Sequence, residues 1–335
     1  RLQLVRTREV SGERLIEAYH DRVREAVQLT LDPQQSQRLH LALLSAASFS
    51  GRADPDWLHA LALGAKESAA ALRYGLIAAE RATGALAFER AATLYKQCLE
   101  LCEPGSAQRV QLLRERAAVL GWCGRGALAA EAYMEAAQLA TGPQALQLLR
   151  LATSHLLRSG RFAEGEAMLQ RVLASLNEVV PTTPAGLMRA IVWERMRLAT
   201  RGTAFTMRSA DQVPAALLAR IDTFDAVRLD SVNLDPTRAY LFLVRLTRWS
   251  LDAGEPLRVL RALGGTCYFE ATTGTAGGVR RADQLLAQMA ELSKQIGTPE
   301  ARVEECVIRA LSSWMLGRAE AVLPPALEAE QLMSK

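Results

Sequence analysis

The chain has 335 residues, half of them hydrophobic but only 5% aromatic, with alanine and leucine dominating. That composition can bury a sizeable interior, as one large array or as two or more domains, and it is the mixture of closely packed helices rather than of strands. Forty basic residues against 36 acidic ones leave a net charge of +4. Arginines lie beside glutamates throughout, which reads as solvated helix faces with intrahelical pairs. With no basic stripe and no aromatic interleaving, this excludes direct nucleic-acid binding from the expectations.

In chain order, Leu2, Leu4 and Val10 predict a short strand, Ser11-Gly12 a turn, and Leu15 to Tyr19 a returning strand. Asp21 is placed to cap a helix through Val23, Ala26 and Val27, which Asp32-Pro33 stops before opening the next. A hairpin followed by a helix is the edge of a winged-helix domain. Alone it is too small to be stable, so it should lean on 34–47 or on sequence further upstream. Ser50 to Pro55 is a clear break, and helices follow at 56–63, 67–82 and 87–101.

Leu-Ala-Phe-x-x-Ala-Ala-x-x-Tyr at Leu86–Tyr95 then returns in degraded form. Ala91 and Tyr95 are followed by Ala129 and Tyr133, and these by Gly165 and Leu169. The intervals lie near the period of about 34 of tetratricopeptide (TPR) repeats. A small residue and a large one four positions later share a helix face, so a paired helix can close over the first and pack on the second. The hairpins pair 67–82 with 87–101, 107–120 with 127–139, and 143–157 with 162–176. Gly124, Gly126 and Gly160 serve the turns, and Phe88 and Phe162 stand just after them.

From 179 to 236 the prolines at 181, 184, 214 and 236 interrupt apolar helices at 187–199 and 215–229. Regular helices resume at 238–251 and from Glu255. Gly264-Gly265 and the 274–278 stretch mark surface loops, and helices at 279–296 and 300–314 lead to a last one at 318–332, bent or late-starting because of Pro324-Pro325. The expected fold is all-α: a TPR-like helical-hairpin solenoid with a small N-terminal β-hairpin or winged-helix remnant. Its domains are 1–49 as remnant and linking helix, 50–178 as TPR-like repeats, and 179–335 as irregular, then TPR-like, helices.

Residues that could carry chemistry are sparse. No phosphate-binding G-x-x-x-x-G-K-[ST] loop occurs, and the four histidines, His20, His40, His59 and His155, form no local catalytic or zinc pair. Cys98 and Cys102 lie one turn apart, but tetrahedral zinc needs more ligands, so they read as buried fillers. The five scattered cysteines indicate free thiols and a reducing, cytoplasmic setting. No apolar run approaches the ~18–20 residues of a membrane span. Tyr19, His20, Asp21 and Arg22 form the densest polar cluster, in which a His20–Asp21 bond would fix the hairpin-to-helix junction or act as a switch. The isolated tryptophans at 57, 122, 193, 249 and 314 read as packing between repeats, or alternatively as exposed peptide anchors. A start at Arg1 without Met, and a final Ala/Leu-rich helix, predict a fragment of a longer protein.

The Tyr19-His20-Asp21-Arg22-Val23-Arg24-Glu25-Ala26 block, the helix containing His40, and the stretch from Ala85 to Tyr95 together resemble large bacterial signalling proteins. In these an N-terminal serine/threonine protein kinase precedes an AAA/STAND-type ATPase and a long TPR-like tail. The resemblance covers nearly the whole chain, most strongly through Thr200 and again at 303–332. It implies that 2–31 is the last hairpin and helix of the winged-helix part and that the remainder is a sensor and partner-binding tail. No kinase or Walker motif stands in this sequence, so no catalytic residue carries over. ATP and Mg are implied only for the parent, and no cofactor or metal for this segment. The expected function is therefore non-catalytic: a regulatory region binding another protein or an ATPase or kinase module of its own parent. Two alternatives stand beside it. One is a chain known for an upstream kinase or ATPase activity; the other is the TPR region of a STAND-type transcription regulator.

Overall fold

The computed structural model describes residues 5–10, 13–51, 53–232 and 235–334. Two compact units emerge, one ending at Leu139 and the other beginning at Ala140.

The N-terminal unit starts with a ribbon in which β1 (Val5–Val10) pairs antiparallel with β2 (Glu13–Ala18), Val5 opposite Ala18 and Val10 opposite Glu13. The turn expected at Ser11-Gly12 and the apolar Leu2 and Leu4 lie outside the described residues. Helix α1 (Asp21–Thr30) is capped by His20, not by Asp21 as expected. The His20 imidazole accepts the Arg22 backbone N–H at 3.2 Å, and Asp21 is already helical. An acceptor two positions ahead of a free N–H is what capping requires, and here the ring nitrogen supplies it. Helix α2 (Pro33–Ser50) opens on a capping box: Asp32 accepts from the Gln34 and Gln35 N–H groups while Gln35 Oε1 accepts from Asp32 N–H. It ends on Gly51 at φ 66°.

Helices α3 (Pro55–Gly64), α4 (Ser68–Gly84), α5 (Phe88–Leu101), α6 (Ala107–Trp122) and α7 (Gly126–Leu139) follow, each packed on its sequence neighbours. One turn recurs. Lys66, Leu86 and Gly124 all adopt left-handed backbone with φ between 59° and 74°. After each, the next N–H reaches back to close a Schellman motif: Glu67 to Ala62 O, Ala87 to Ala82 O, Arg125 to Leu120 O. Five positions beyond the left-handed residue stand Ala71, Ala91 and Ala129, all 0% exposed; nine beyond stand Gly75, Tyr95 and Tyr133, also buried. The turn fixes the rotation of the following helix, so the same register meets the preceding helix every time. The α3–α4 member of this series has Lys66 at the left-handed position and Gly75 where α5 and α7 carry a buried tyrosine, and the sequence pattern does not reveal it.

The C-terminal unit begins with α8 (Gly142–Arg158) and α9 (Phe162–Ser175), joined by the same turn at Gly160, with Gly165 and Leu169 buried at the matching positions. A Cβ on Gly165 would sit 2.5 Å from Leu157 Cδ2, which is why the small residue here is glycine. Beyond it the order changes. Helix α10 (Pro184–Arg201) packs on α12 (Pro236–Ala253), while α11 (Ala215–Ser231) packs on α8 and α12. Then come α13 (Pro256–Thr272), α14 (Ala276–Ile296), α15 (Pro299–Met315) and α16 (Leu323–Met333), the last starting late, after a short 3-10 turn. The prolines at 184 and 236 open helices, where a missing N–H costs nothing, instead of interrupting them.

Gly264 and Gly265 are not in a loop, as expected, but inside α13. A Cβ on Gly264 would approach Ile308 Cγ1 to 2.9 Å, and one on Gly265 would approach Leu243 Cδ1 to 2.8 Å. The pair costs about 2 kcal/mol in helix propensity, offset by the close approach of neighbouring helices that only glycine permits. The core beside it centres on Phe224, which meets Phe242 and Trp249 edge-on with centroids 5.1 and 4.9 Å away. The charged residues go beyond the intrahelical expectation. Arg238 reaches Glu166, Arg258 reaches Asp222 and Arg302 reaches Glu328 at 2.6–2.7 Å across different helices, while the fully buried Glu305 pairs within its own helix with Arg302 and Arg309. Sequence spacing reveals pairs along a helix but not pairs between helices.

Candidate functional site

Helix α10 carries two apolar stripes side by side. Leu187 and Ile191 are buried in the core, together with Glu194. One position further along each turn, Met188, Val192 and Met196 stand 54%, 53% and 57% exposed. Successive helical residues are about 100° apart, so the second stripe is a face of its own, next to the packed one and not covered by it.

This exposed face walls a hollow of 760 Å³ that Ile191, Pro236, Tyr240 and Phe269 complete. Tyr240 on α12 and Phe269 on α13 stack with centroids 3.8 Å apart and planes 18° off parallel, giving the hollow a flat aromatic side. Arg195, Ala199 and Tyr240 also line a second hollow of 310 Å³, which runs on to Gln284 and Gln288 of α14. The two lobes therefore meet at Arg195 and Tyr240, and each volume falls in the range of roughly 300–1,000 Å³ typical of ligand sites.

The electrostatics are simple. Among the described residues that line the outer lobe, Arg195 alone is charged. Its Nη1 donates to the Tyr240 hydroxyl at 3.0 Å and its guanidinium lies 6.0 Å from the ring centroid. Among the described residues no carboxylate pairs with it. In the inner lobe the buried Glu270 accepts from Arg281 Nε at 2.9 Å and pairs with its Nη2 at 2.7 Å, so these two cancel. Hydrogen bonding to Glu270 raises the Arg281 pKa further, and burial pushes the Tyr240 phenol up against the opposing pull of Arg195. Tyr240 is thus a neutral hydroxyl at physiological pH, and the cleft keeps one uncompensated positive charge.

The residues singled out from sequence lie elsewhere. Ala91, Tyr95, Ala129, Tyr133, Gly165 and Leu169 are buried scaffold. Phe88 packs on Trp122, centroids 5.2 Å apart, whereas Phe162 is half exposed despite its equivalent place after the turn. Tyr19, His20 and Arg22 are exposed, and the His20 imidazole accepts from the Arg22 backbone N–H; the His20–Asp21 bond expected from sequence falls on the Asp21 side chain, outside the described residues. Of the tryptophans only Trp249 belongs to the core; Trp57, Trp122, Trp193 and Trp314 are each about half exposed or more, and of these Trp122 still packs between hairpins through Phe88. Cys98 and Cys102 are buried free thiols, the former pushed up to about 11 by burial. Among the described residues no three His, Cys, Asp or Glu side chains are placed to hold a metal ion, and no helix is long and apolar enough to cross a membrane.

One further cluster joins Ser154, His155 and Asp230. Ser154 donates directly to Asp230, so the imidazole does not stand between hydroxyl and carboxylate as it does in a proton relay. The cleft residues Met188, Val192, Arg195, Met196, Tyr240 and Phe269 escaped the sequence reading. Their one visible signal is the doubled apolar stripe of α10, Leu187-Met188 and Ile191-Val192. Comparison with protein families, curated proteins and solved structures finds no match for the chain.

Proposed function

We propose that this chain is a non-catalytic, helical-repeat regulatory region that binds protein, either a separate partner or an ATPase or kinase module of its own parent. The observation that carries this reading is the Met188–Val192–Met196 face of α10. A helix that has already buried Leu187 and Ile191 gains nothing in stability from a second exposed apolar stripe. Such a stripe is found where a partner supplies the missing contact. Methionine, unbranched and polarizable, suits a surface that must repack around another chain. The recurring turns and small-residue positions from Lys66 to Leu169 support the TPR-like character of the hairpins, and the β1–β2–α1 segment supports their attachment to a winged-helix module. In this reading ATP and Mg act on the parent's upstream domains, the setting is cytoplasmic, and nucleic acid is not contacted directly.

Hydrogen exchange on the full-length parent, compared with the isolated chain, tests the proposal. Protection of residues 184–201 in the parent or with a captured partner protein is expected. Identical exchange at every helix in both preparations would overturn it.

A further inference from the structure

Resting on that reading, we infer that the cleft beside α10 takes an acidic amphipathic helix: a partner segment with large apolar side chains along one face and a carboxylate beside them. Three observations converge. First, Met188, Val192, Met196 and Ala199 recur at spacings of four, four and three, the spacing at which one helix offers ridges and grooves to another. From Met188 to Ala199 the stripe rises 11 steps, about 16 Å at 1.5 Å per residue, so three turns of a partner helix match it. Second, the opposite side is the stacked pair Tyr240 and Phe269 with Pro236, so the hollow is an apolar groove between helices and not a flat patch. Third, Arg195 projects from the same face, one position before Met196, with the neutral Tyr240 hydroxyl as its hydrogen-bond partner.

Charge decides between partner types. Among the described residues that line the cleft, Glu270 and Arg281 neutralise each other at 2.7 Å, and Arg195 remains. A basic helix, such as those that seek acidic methionine-rich grooves, would meet a like charge here. A purely apolar helix would cover Arg195 and leave its guanidinium with one neutral acceptor. A carboxylate on the partner completes it with a charge-assisted bond, shorter and stronger than a neutral one. Tyr240 already orients the guanidinium toward the boundary of the two lobes, so little ordering remains to be done on binding.

Two fluorescein-labelled 18-residue synthetic helices provide the test, identical in their four-leucine stripe and differing in one flanking residue, glutamate or lysine. Anisotropy titrations are run on the whole chain and on Arg195→Glu, with circular dichroism and a melting curve confirming that the variant is folded. The glutamate peptide should bind the native chain about tenfold more tightly than the lysine peptide, and Arg195→Glu should reverse the order. Raising salt should narrow the difference. Equal affinities, no binding of either peptide, or no reversal in the variant each overturn the acidic-helix assignment. If 184–201 is nonetheless protected in the full-length parent, the interaction role stands and only the partner chemistry falls. If that protection is missing too, both fall.

Discussion

Gly75 on α4 passes His59 on α3 so closely that a methyl group on the glycine would lie 2.8 Å from the ring's Nδ1 and Cε1 and 2.7 Å from Cys98 Sγ. The ring cannot withdraw. Its Nδ1 is bonded to the Ala71 carbonyl at 2.8 Å and its Nε2 to the Gln97 side chain at 3.1 Å. Gly75→Ala should therefore lose about 1–2 kcal/mol, because overpacking costs about 1–3 and outweighs the helix-propensity gain of about 1. Gly84→Ala, nine residues on in the same helix with nothing within 4 Å of its Cβ, should gain up to about 1 kcal/mol. Urea denaturation of both variants checks this, and shifts of the same sign would show that the contact with His59 is not decisive.

Leu86 sits at φ 59° in a turn whose counterpart, Gly124, is at 74°. Left-handed backbone costs a side-chain-bearing residue about 1–2 kcal/mol, while glycine adds about 0.4–1 kcal/mol of unfolded-state freedom. Leu86→Gly should raise stability by about 0.5–1 kcal/mol and Gly124→Ala should lower it by a similar amount. Thermal melts would read both, and a destabilised Leu86→Gly would mean that the exposed leucine makes contacts outweighing the backbone strain.

Burial raises the Asp230 carboxyl above its ordinary value of 3.8, and the Ser154 hydroxyl, Arg158 and His155 offset this only in part. The folded state then holds its proton where the unfolded state has released it, so stability falls as pH rises from 3.8 through the raised folded value and stays reduced above it. Asp230→Asn keeps an acceptor for Ser154 without the charge. The variant should gain stability relative to the native chain on going from pH 3.5 to pH 7. A difference between the two proteins that does not vary with pH would contradict the burial argument.

Trp249 is 7% exposed and edge-on to Phe224, with the Arg220 and Arg248 guanidiniums 5.4 and 5.7 Å from its ring. Trp249→Ala should cost about 3–5 kcal/mol. Trp193→Ala, on the exposed side of α10, should stay within about 0.5 kcal/mol. Guanidinium titration of the pair separates core from surface; comparable losses would place Trp193 in the core as well.

Met188→Ser with Met196→Ser should leave the unfolding midpoint within about 0.5 kcal/mol of native, since both side chains are more than half exposed. The same double variant should lose most of its binding to whatever protects 184–201 in the parent. A large loss of stability would instead assign the stripe to folding.

The hairpin register from Leu86 to Leu169 could be read in advance because it is local: a turn, a small residue five positions on and a large one four beyond that all lie within a single helix. Helix starts were legible for the same reason, since Asp32-Pro33 and Asp54-Pro55 act on backbone groups next to them. The glycines at 264 and 265 misled because their reason lies on other helices, with Ile308 and Leu243. The cleft was invisible because Met188, Val192 and Met196 look from sequence like ordinary core positions; what distinguishes them is that no described helix covers them.

Composition and periodicity alone thus determined that the chain is helical and where most of its helices begin, because propensity, capping and turn chemistry are properties of short stretches. Which helices meet was settled only in three dimensions. Arg238 finds Glu166, Tyr240 finds Phe269 and Arg195 finds the Tyr240 hydroxyl, with no carboxylate among the described residues, through contacts that span tens of residues and leave no trace in local spacing. The cleft belongs to that second class, since a concave surface is made by the placement of several elements and by the residues that packing leaves over.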